Sequence, residues 1–96
     1  MEKDNLEKII IVDYGSQVTQ LIARKVREIG VYSEIINFNQ AKSLKKNKYI
    51  KGIILSGGPL TITKSKSLDL PQNILNLNKP ILGICYGHQI LAKKLG

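Results

Sequence analysis

The 96-residue chain has one cysteine, one histidine and no tryptophan, and these shortages exclude several classes of protein. A single cysteine cannot form an intramolecular disulfide, so the chain is not a disulfide-stabilised secreted domain. One cysteine and one histidine cannot make a structural zinc site. The cysteine, Cys85, is therefore either a buried apolar side chain or a reactive thiol.

The chain also lacks any long apolar segment. Its longest apolar runs, residues 9–12 and 53–55, are far shorter than the roughly 20 residues that cross a bilayer. The first five residues carry both charge signs, and no apolar core of a secretory signal follows them. We therefore expect a cytoplasmic protein with no membrane partner. The hydrophobic fraction of 43% is typical of a globular protein, and the length allows one domain at most.

Acidic residues are scarce: 7 Asp and Glu stand against 15 Lys and Arg, a formal net charge of +8 at pH 7. Part of the excess comes from a cluster of lysines, which are Lys42, Lys45, Lys46, Lys48 and Lys51. Such a cluster is either a nucleic-acid surface or a solvated face. We favour the solvated face and expect no nucleic-acid partner, because aromatic residues merely flank the lysines and no known nucleic-acid module is present.

The sequence does contain short β-branched runs that alternate with helical periodicity, which is typical of a parallel α/β sheet. We predict strands over residues 8–14, 31–38, 49–55 and 81–84. The first strand is apolar almost throughout, as expected for a strand covered by helices on both faces. The predicted fold is a flavodoxin-like, three-layer arrangement of mainly parallel strands.

The first predicted helix has Ser16 as its N-cap and stops at Gly30. Its apolar face consists of Val18, Leu21, Ile22, Val26 and Ile29. The other predicted elements are a short helix or loop over residues 40–48, a mobile surface loop over 60–70, a short helix over 72–77 and a helix from residue 86.

Glycine-bearing turns follow three of the predicted strands, at residues 14–16, 56–59 and 83–87. The carboxyl ends of parallel strands lie at one edge of the sheet, and ligands bind there in folds of this kind. Three such turns at one edge predict a functional site.

The turn at residues 83–87 reads Gly-Ile-Cys-Tyr-Gly, which follows the logic of the Gly-x-Ser-x-Gly elbow of hydrolases. Small neighbours permit the strained backbone of a nucleophile on a sharp strand-to-helix turn. The N-terminus of the next predicted helix favours a thiolate. We therefore interpret Cys85 as the nucleophile of a cysteine-dependent hydrolase rather than as a core side chain.

A thiolate that attacks an amide creates negative charge on the carbonyl oxygen, which aimed N–H donors can stabilise. The backbone N–H groups of Tyr86 and Gly58 are the candidates, and the glycine lets the backbone approach a substrate closely. The alternative for residues 57–59 is an ordinary tight turn. The presence of Cys85 at the same edge favours the oxyanion role.

His88 is the one histidine and follows Cys85 by three residues on the same predicted helix. Its side chain would lean along the helix surface rather than face the thiol, out of the hydrogen-bond reach that a general base needs. We interpret His88 as a packed residue, so the sequence has a nucleophile without its general base.

These motifs together resemble class I, triad-type glutamine amidotransferases. Ser-Gly-Gly-Pro at residues 56–59 precedes Pro-Ile-Leu-Gly-Ile-Cys-Tyr-Gly-His-Gln at residues 80–89. The first strand and helix are similar to the start of the bacterial-type GMP synthase branch, with Ile-Val-Asp-Tyr-Gly-Ser-Gln at 11–17 and Thr-Gln-Leu-Ile-Ala-Arg at 19–24. The resemblance runs from residue 8 to residue 96.

The resemblance implies that Cys85 takes the γ-glutamyl group of glutamine as a thioester and releases ammonia. Gly58 and Tyr86 would supply the oxyanion amides, and Gln89 would contact glutamine. The family's partner for this unit is an ATP- and Mg²⁺-dependent synthetase (ATP pyrophosphatase) domain that aminates xanthosine monophosphate to GMP. No metal or cofactor is expected in these 96 residues, and the full-length enzyme is expected to be a homodimer.

In the family the catalytic His and Glu lie far downstream of the cysteine. The resemblance thus implies that residues 1–96 are the N-terminal portion of an amidotransferase domain, an incomplete (truncated) sheet that does not turn over glutamine alone. Three alternatives stay open. One is another class I amidotransferase, serving anthranilate, carbamoyl phosphate or CTP synthesis. The others are a non-catalytic flavodoxin-like binding fragment and, on charge alone, a basic RNA-binding domain.

Overall fold

The computed structural model describes residues 6–15, 17–57, 70–85, 91 and 95. The described sheet has four parallel strands in the order β2-β1-β3-β4, and it confirms the predicted α/β class. The strands are β1 (Lys8–Tyr14), β2 (Tyr32–Asn37), β3 (Ile50–Gly57) and β4 (Ile81–Cys85). The helices between them are α1 (Thr19–Glu28), α2 (Phe38–Lys42) and α3 (Gln72–Leu75).

Alternate side chains of each strand point to opposite faces of the sheet, and helices cover both faces. On one face Ile10 and Val12 of β1 join a core that includes Ala41 of α2 and Ile74 of α3. The other members of that buried core are Tyr14, Ile36, Ile50, Ile53, Leu55, Leu70 and Leu77. On the opposite face α1 packs against β1 and β2, so the predicted three-layer arrangement is present.

Small side chains bring α1 close to the sheet. The hydroxyl of Ser33 on β2 donates to the backbone carbonyl of Ala23 at 3.3 Å, and the buried residues of α1 are Thr19 and Ala23. Large side chains at these positions would hold the helix away from the sheet. The predicted apolar face is therefore partly wrong, since Leu21 is 49% exposed and Ile29 is 78% exposed.

The ends of α1 differ in how well they were predicted. The helix begins at Thr19 with Val18 as its N-cap, and no side chain caps it, so the prediction of Ser16 as the N-cap is wrong. At the other end Gly30 has φ +88°, a left-handed conformation that a glycine adopts without strain. The predicted stop at Gly30 is confirmed.

Several boundaries are shifted by one or two residues. The third strand continues through Ser56 and Gly57, which were predicted to form a turn, and the fourth strand includes Cys85. Phe38 opens α2 instead of ending β2, because Asn37 and Gln40 form a capping box. Leu70, predicted to lie in a surface loop, is 1% exposed and belongs to the core.

The remaining predictions for residues 60–69 lie outside the described residues. The predicted last helix begins at residue 86 and lies mostly outside them too, although Leu91 and Leu95 are helical. In the part of the chain that the structure covers, no helix is long and apolar enough to cross a membrane.

Candidate active site

The strand order reverses between β1 and β3, since β2 lies on one side of β1 and β3 lies on the other. In open parallel sheets ligands bind beyond the carboxyl ends of the strands at such a reversal. The residues at this point are Tyr14 and Gly15 after β1 and Ser56 and Gly57 at the end of β3. Two of the three predicted glycine turns therefore begin at the position where a site is expected.

The third turn begins in the same row. Gly57 is paired with Tyr14 on one side and with Cys85 on the other, and it also forms an isolated bridge with Gly15. Neighbouring strands lie about 4.8 Å apart, so the backbone of Cys85 is one strand spacing from Gly57. The predicted convergence of the three strand ends on one edge is confirmed.

A buried hydrogen-bond cluster ties the first two turns together. The Thr19 hydroxyl donates to Asp13 Oδ1 at 3.0 Å and is also hydrogen-bonded to the Ser56 hydroxyl at 3.0 Å. Thr19 is 2% exposed and Ser56 is fully buried. Asp13, Thr19 and Ser56, called the edge cluster below, thus join β1, the first turn of α1 and the end of β3.

The carboxylate of Asp13 also fixes the turn that follows β1. Asp13 Oδ1 accepts a hydrogen bond from the backbone N–H of Gly15 at 2.8 Å. Gly15 has φ +94°, in the region that side chains make costly, and a Cβ there would meet no other atom within 4 Å. A glycine is required at this position for its backbone conformation and not for lack of space.

The structure describes only one of the predicted site residues, Cys85. Cys85 is the last residue of β4, directly beside the reversal point. Gly58, Tyr86, His88 and Gln89 lie outside the described residues, so their predicted roles stay predictions. Among the residues that are described, no three His, Cys, Asp or Glu side chains are grouped to hold a metal ion.

No role for Asp13, Thr19 or Ser56 was predicted from the sequence. A partial signal existed, because Asp13 stands next to the Tyr14-Gly15 turn and short polar side chains beside turns often bond to nearby backbone N–H groups. The contact between Thr19 and Ser56 joins residues 37 positions apart, and it could be found only once the strand pairing was known.

The family comparison agrees with this arrangement of strand ends. The family model described as "Glutamine amidotransferase class-I" matches residues 10–96. The match begins within β1 and includes every strand end described above. The chain belongs to the class I glutamine amidotransferase family.

Two of the similar proteins are GMP synthases. The chain is 57% identical to the glutamine-hydrolysing GMP synthase of Rhodopseudomonas palustris strain BisB18 over 90 residues, which is 94% of this chain and 17% of that protein. It is 53% identical to the GMP synthase of Ruthia magnifica over 96 residues, all of this chain and 18% of that protein. The chain thus spans under a fifth of the length of these curated relatives.

A solved structure shares the fold. A proposed GMP synthase subunit from Thermoplasma acidophilum superposes with a TM-score of 0.73 at 34% sequence identity. The match covers 96% of this chain and 46% of that chain. The four-stranded parallel sheet is therefore shared with a protein of the same branch.

Proposed function

We propose that this chain carries the nucleophile of the glutaminase reaction of a glutamine-hydrolysing GMP synthase, with Cys85 as the attacking group. The observation that carries the proposal is the position of Cys85 at the carboxyl end of β4, paired with Gly57 beside the strand-order reversal. The relatives at 57% and 53% identity give the branch.

The proposed chemistry begins with attack of the Cys85 thiolate on the side-chain carboxamide carbon of glutamine. The backbone N–H groups of Gly58 and Tyr86 stabilise the oxyanion that forms, and Gln89 contacts the bound glutamine. Loss of one such donor typically costs about 100-fold or more in rate. Collapse of the intermediate breaks the C–N bond, releases ammonia and leaves a γ-glutamyl thioester, which water then hydrolyses to glutamate.

The edge cluster supports this proposal through geometry. Oxyanion stabilisation requires donors that are fixed before the reaction, because donors that must reorganise contribute less. Ser56 lies two residues before Gly58 and is held by Thr19, which is held in turn by Asp13. The backbone that leads into the proposed oxyanion residue is therefore anchored on two neighbouring elements.

The proposal has further parts in the rest of the enzyme. The leaving ammonia must take up a proton, and we assign that role to a general acid other than His88. Ammonia then passes to an ATP- and Mg²⁺-dependent synthetase domain that aminates xanthosine monophosphate, in a homodimeric enzyme. We infer that the 96 residues alone do not turn over glutamine.

A glutamine-mimicking diazoketone tests the nucleophile directly. We expect the chain to gain one adduct, mapped to Cys85 by peptide mass spectrometry, and we expect excess glutamine to slow its formation. Cys85→Ala should carry no adduct while keeping the circular dichroism spectrum of the parent chain. An adduct that maps elsewhere, or one that glutamine does not slow, would refute the assignment of Cys85.

A chimera tests the branch. The 96 residues replace the matching segment of the R. palustris GMP synthase, to which they are 57% identical. We expect glutamine-dependent GMP formation to be retained, and Cys85→Ser to abolish it while added ammonium salts still support amination. A chimera that uses ammonium but not glutamine, with Cys85 present, would contradict the proposed function.

A further inference from the structure

A second concave surface lies at the opposite edge of the sheet, where the strands begin. A cavity of about 240 Å³ opens between the first residues of β1 and β3 and the segment after α2. Its apolar lining consists of Ile10, Leu44 and Ile50, and its charged lining consists of Lys8, Glu34, Lys45 and Lys46. The volume is well above the roughly 10–15 Å³ that one water needs.

Lys8 is the unusual member of this lining, because its side chain is only 4% exposed. Burial of an ammonium group is unfavourable unless a partner accepts its hydrogen bonds. Within the described residues its ion-pair partner is Glu34, with Nζ and Oε2 4.0 Å apart. That distance is beyond hydrogen-bond range, so the ammonium has Coulombic attraction to Glu34 without a hydrogen bond to it. The Nζ atom keeps some contact with the open cavity, since within the described residues no fully buried side-chain nitrogen lacks a hydrogen-bond partner.

The rest of the lining adds positive charge. Lys45 and Lys46 are exposed at the rim and, with Lys8, outnumber the one glutamate by three to one. Asn47 also lines the cavity, and its side-chain carbonyl is occupied by the backbone N–H of Tyr49 at 2.8 Å. Its amide NH₂ is thus the part that remains to donate, so the polar part of the lining consists mainly of donors.

We propose that this cavity binds a small anion that carries a phosphate group. Phosphate is a compact dianion near neutral pH with several acceptor oxygens, and lysine binds it as a point charge. The nearly buried Lys8 side chain donates to one oxygen, and the exposed Lys45 and Lys46 neutralise the remaining charge. The segment 44–47 then forms one wall of the site.

This site is separate from the proposed nucleophile. Lys8 begins β1 and Tyr14 ends it, so the two edges are roughly 20 Å apart at about 3.3 Å per residue. The proposal therefore does not depend on Cys85 being catalytic, and each can fail without the other.

The experiment titrates inorganic phosphate and then pyrophosphate into the 96-residue chain, with sodium chloride adjusted to hold the ionic strength constant. Amide chemical shifts report the binding. We expect saturable shifts confined to residues 8, 34 and 44–50. Lys45→Ala with Lys46→Ala should weaken binding about tenfold, because two cations near the surface no longer attract the dianion.

The matched control is Lys42→Ala with Lys48→Ala, which lowers the net charge by the same amount within the same segment. The Nζ atoms of these lysines lie 5.0 Å and 5.3 Å from the ring centroids of Phe38 and Tyr49, and neither lysine lines the cavity. Binding in this control should stay within about twofold of the parent chain, since the removed charges are screened by solvent.

Lys8→Met provides an independent arm and should abolish saturable binding, with circular dichroism confirming the fold. Equal weakening by the two lysine pairs would overturn the proposal, because it would make net charge the cause. Shifts that never saturate would overturn it as well. Tighter binding to an arbitrary RNA, weakened alike by both pairs, would assign these lysines to a general polyanion surface instead.

Discussion

The polar side chains at the two edges of the sheet differ in whether they are hydrogen-bonded to other side chains. At the carboxyl edge the Thr19 hydroxyl is hydrogen-bonded to both Asp13 and Ser56 at 3.0 Å. At the amino edge the Lys8 side chain is 4% exposed, and its ion-pair partner within the described residues, Glu34, lies 4.0 Å away beside an open cavity. One edge satisfies its polar groups internally, and the other leaves a charged group facing a space that a ligand can occupy.

The difference separates two uses of buried polarity. A satisfied cluster makes the backbone around it rigid, which suits the edge where a nucleophile and oxyanion donors need fixed positions. A bound anion would give the Lys8 ammonium a hydrogen bond that Glu34, at 4.0 Å, does not supply, and would thereby stabilise the folded state. Apolar replacements of similar shape should therefore have opposite effects at the two edges, and the predictions below test that contrast.

The largest effect is expected for Asp13→Ala at the carboxyl edge. It removes the acceptor of the Thr19 hydroxyl and of the Gly15 N–H, and the Thr19 hydroxyl is buried. A buried donor without its acceptor costs about 1–3 kcal/mol, so we expect a loss of about 2–3 kcal/mol in the free energy of unfolding, measured by urea denaturation. Asp13→Asn keeps an acceptor oxygen and should lose less. Equal losses in the two variants would mean that hydrogen bonding at this oxygen is not the cause.

Asn73→Ala should have the next largest effect, because Asn73 holds Leu44, a residue that lines the amino-edge cavity. The Asn73 amide donates to the carbonyls of Ala41 and Leu44 at 2.7 Å and 2.9 Å, which fastens the end of α2 and the segment after it to α3. Loss of both bonds should cost about 1–2 kcal/mol by urea denaturation. Gln72→Ala on the same helix removes an exposed bond to Asn76 and is the control, with a much smaller loss expected.

The bounds of the strands were predicted from the sequence with unequal success, for physical reasons. The bounds of β1 were predicted as observed, because a nearly continuous apolar run ends at a glycine. The end of β3 was not, since Ser56 and Gly57 have turn-forming propensity while pairing with β1 and β4 extends the strand through them. Strand pairing outweighs local preference there, as is usual in sheets.

The candidate site shows the same division. The glycine turns were visible in sequence, because each is a local signal next to a strand. The edge cluster was not, because its members come from three elements and Thr19 and Ser56 are 37 residues apart. The cavity around Lys8 was not predicted either. A lysine at the start of a strand is an ordinary sequence feature, and only the packing of Leu44–Asn47 above it creates a pocket.

Lys8→Met is expected to reverse the sign seen at the carboxyl edge. Methionine fills a similar volume without an ammonium group, and apolar replacements of poorly paired buried charges are often neutral or stabilising. Without phosphate we expect the free energy of unfolding to rise by about 1 kcal/mol or to stay unchanged. Phosphate should stabilise the parent chain and not the variant. A loss above about 2 kcal/mol in phosphate-free buffer would show that the pair with Glu34 is a strong one, since breaking a well-formed buried pair costs more than that.

Glu7→Gln should have the smallest effect, although the Glu7–Lys51 ion pair that it breaks is shorter than the Lys8–Glu34 pair. Glu7 Oε2 lies 3.4 Å from Lys51 Nζ, and the two side chains are 70% and 51% exposed. Water screens both charges, so an exposed pair of this kind contributes about 0.2–1 kcal/mol at most, and we expect less than about 0.5 kcal/mol. Urea denaturation at low and high sodium chloride measures it, and the difference between Glu7→Gln and the parent should vanish at high salt. A loss as large as that of Asn73→Ala, or one that persists at high salt, would contradict this expectation. Burial and hydrogen bonding would then no longer explain why substitutions at the two edges change the free energy of unfolding by different amounts.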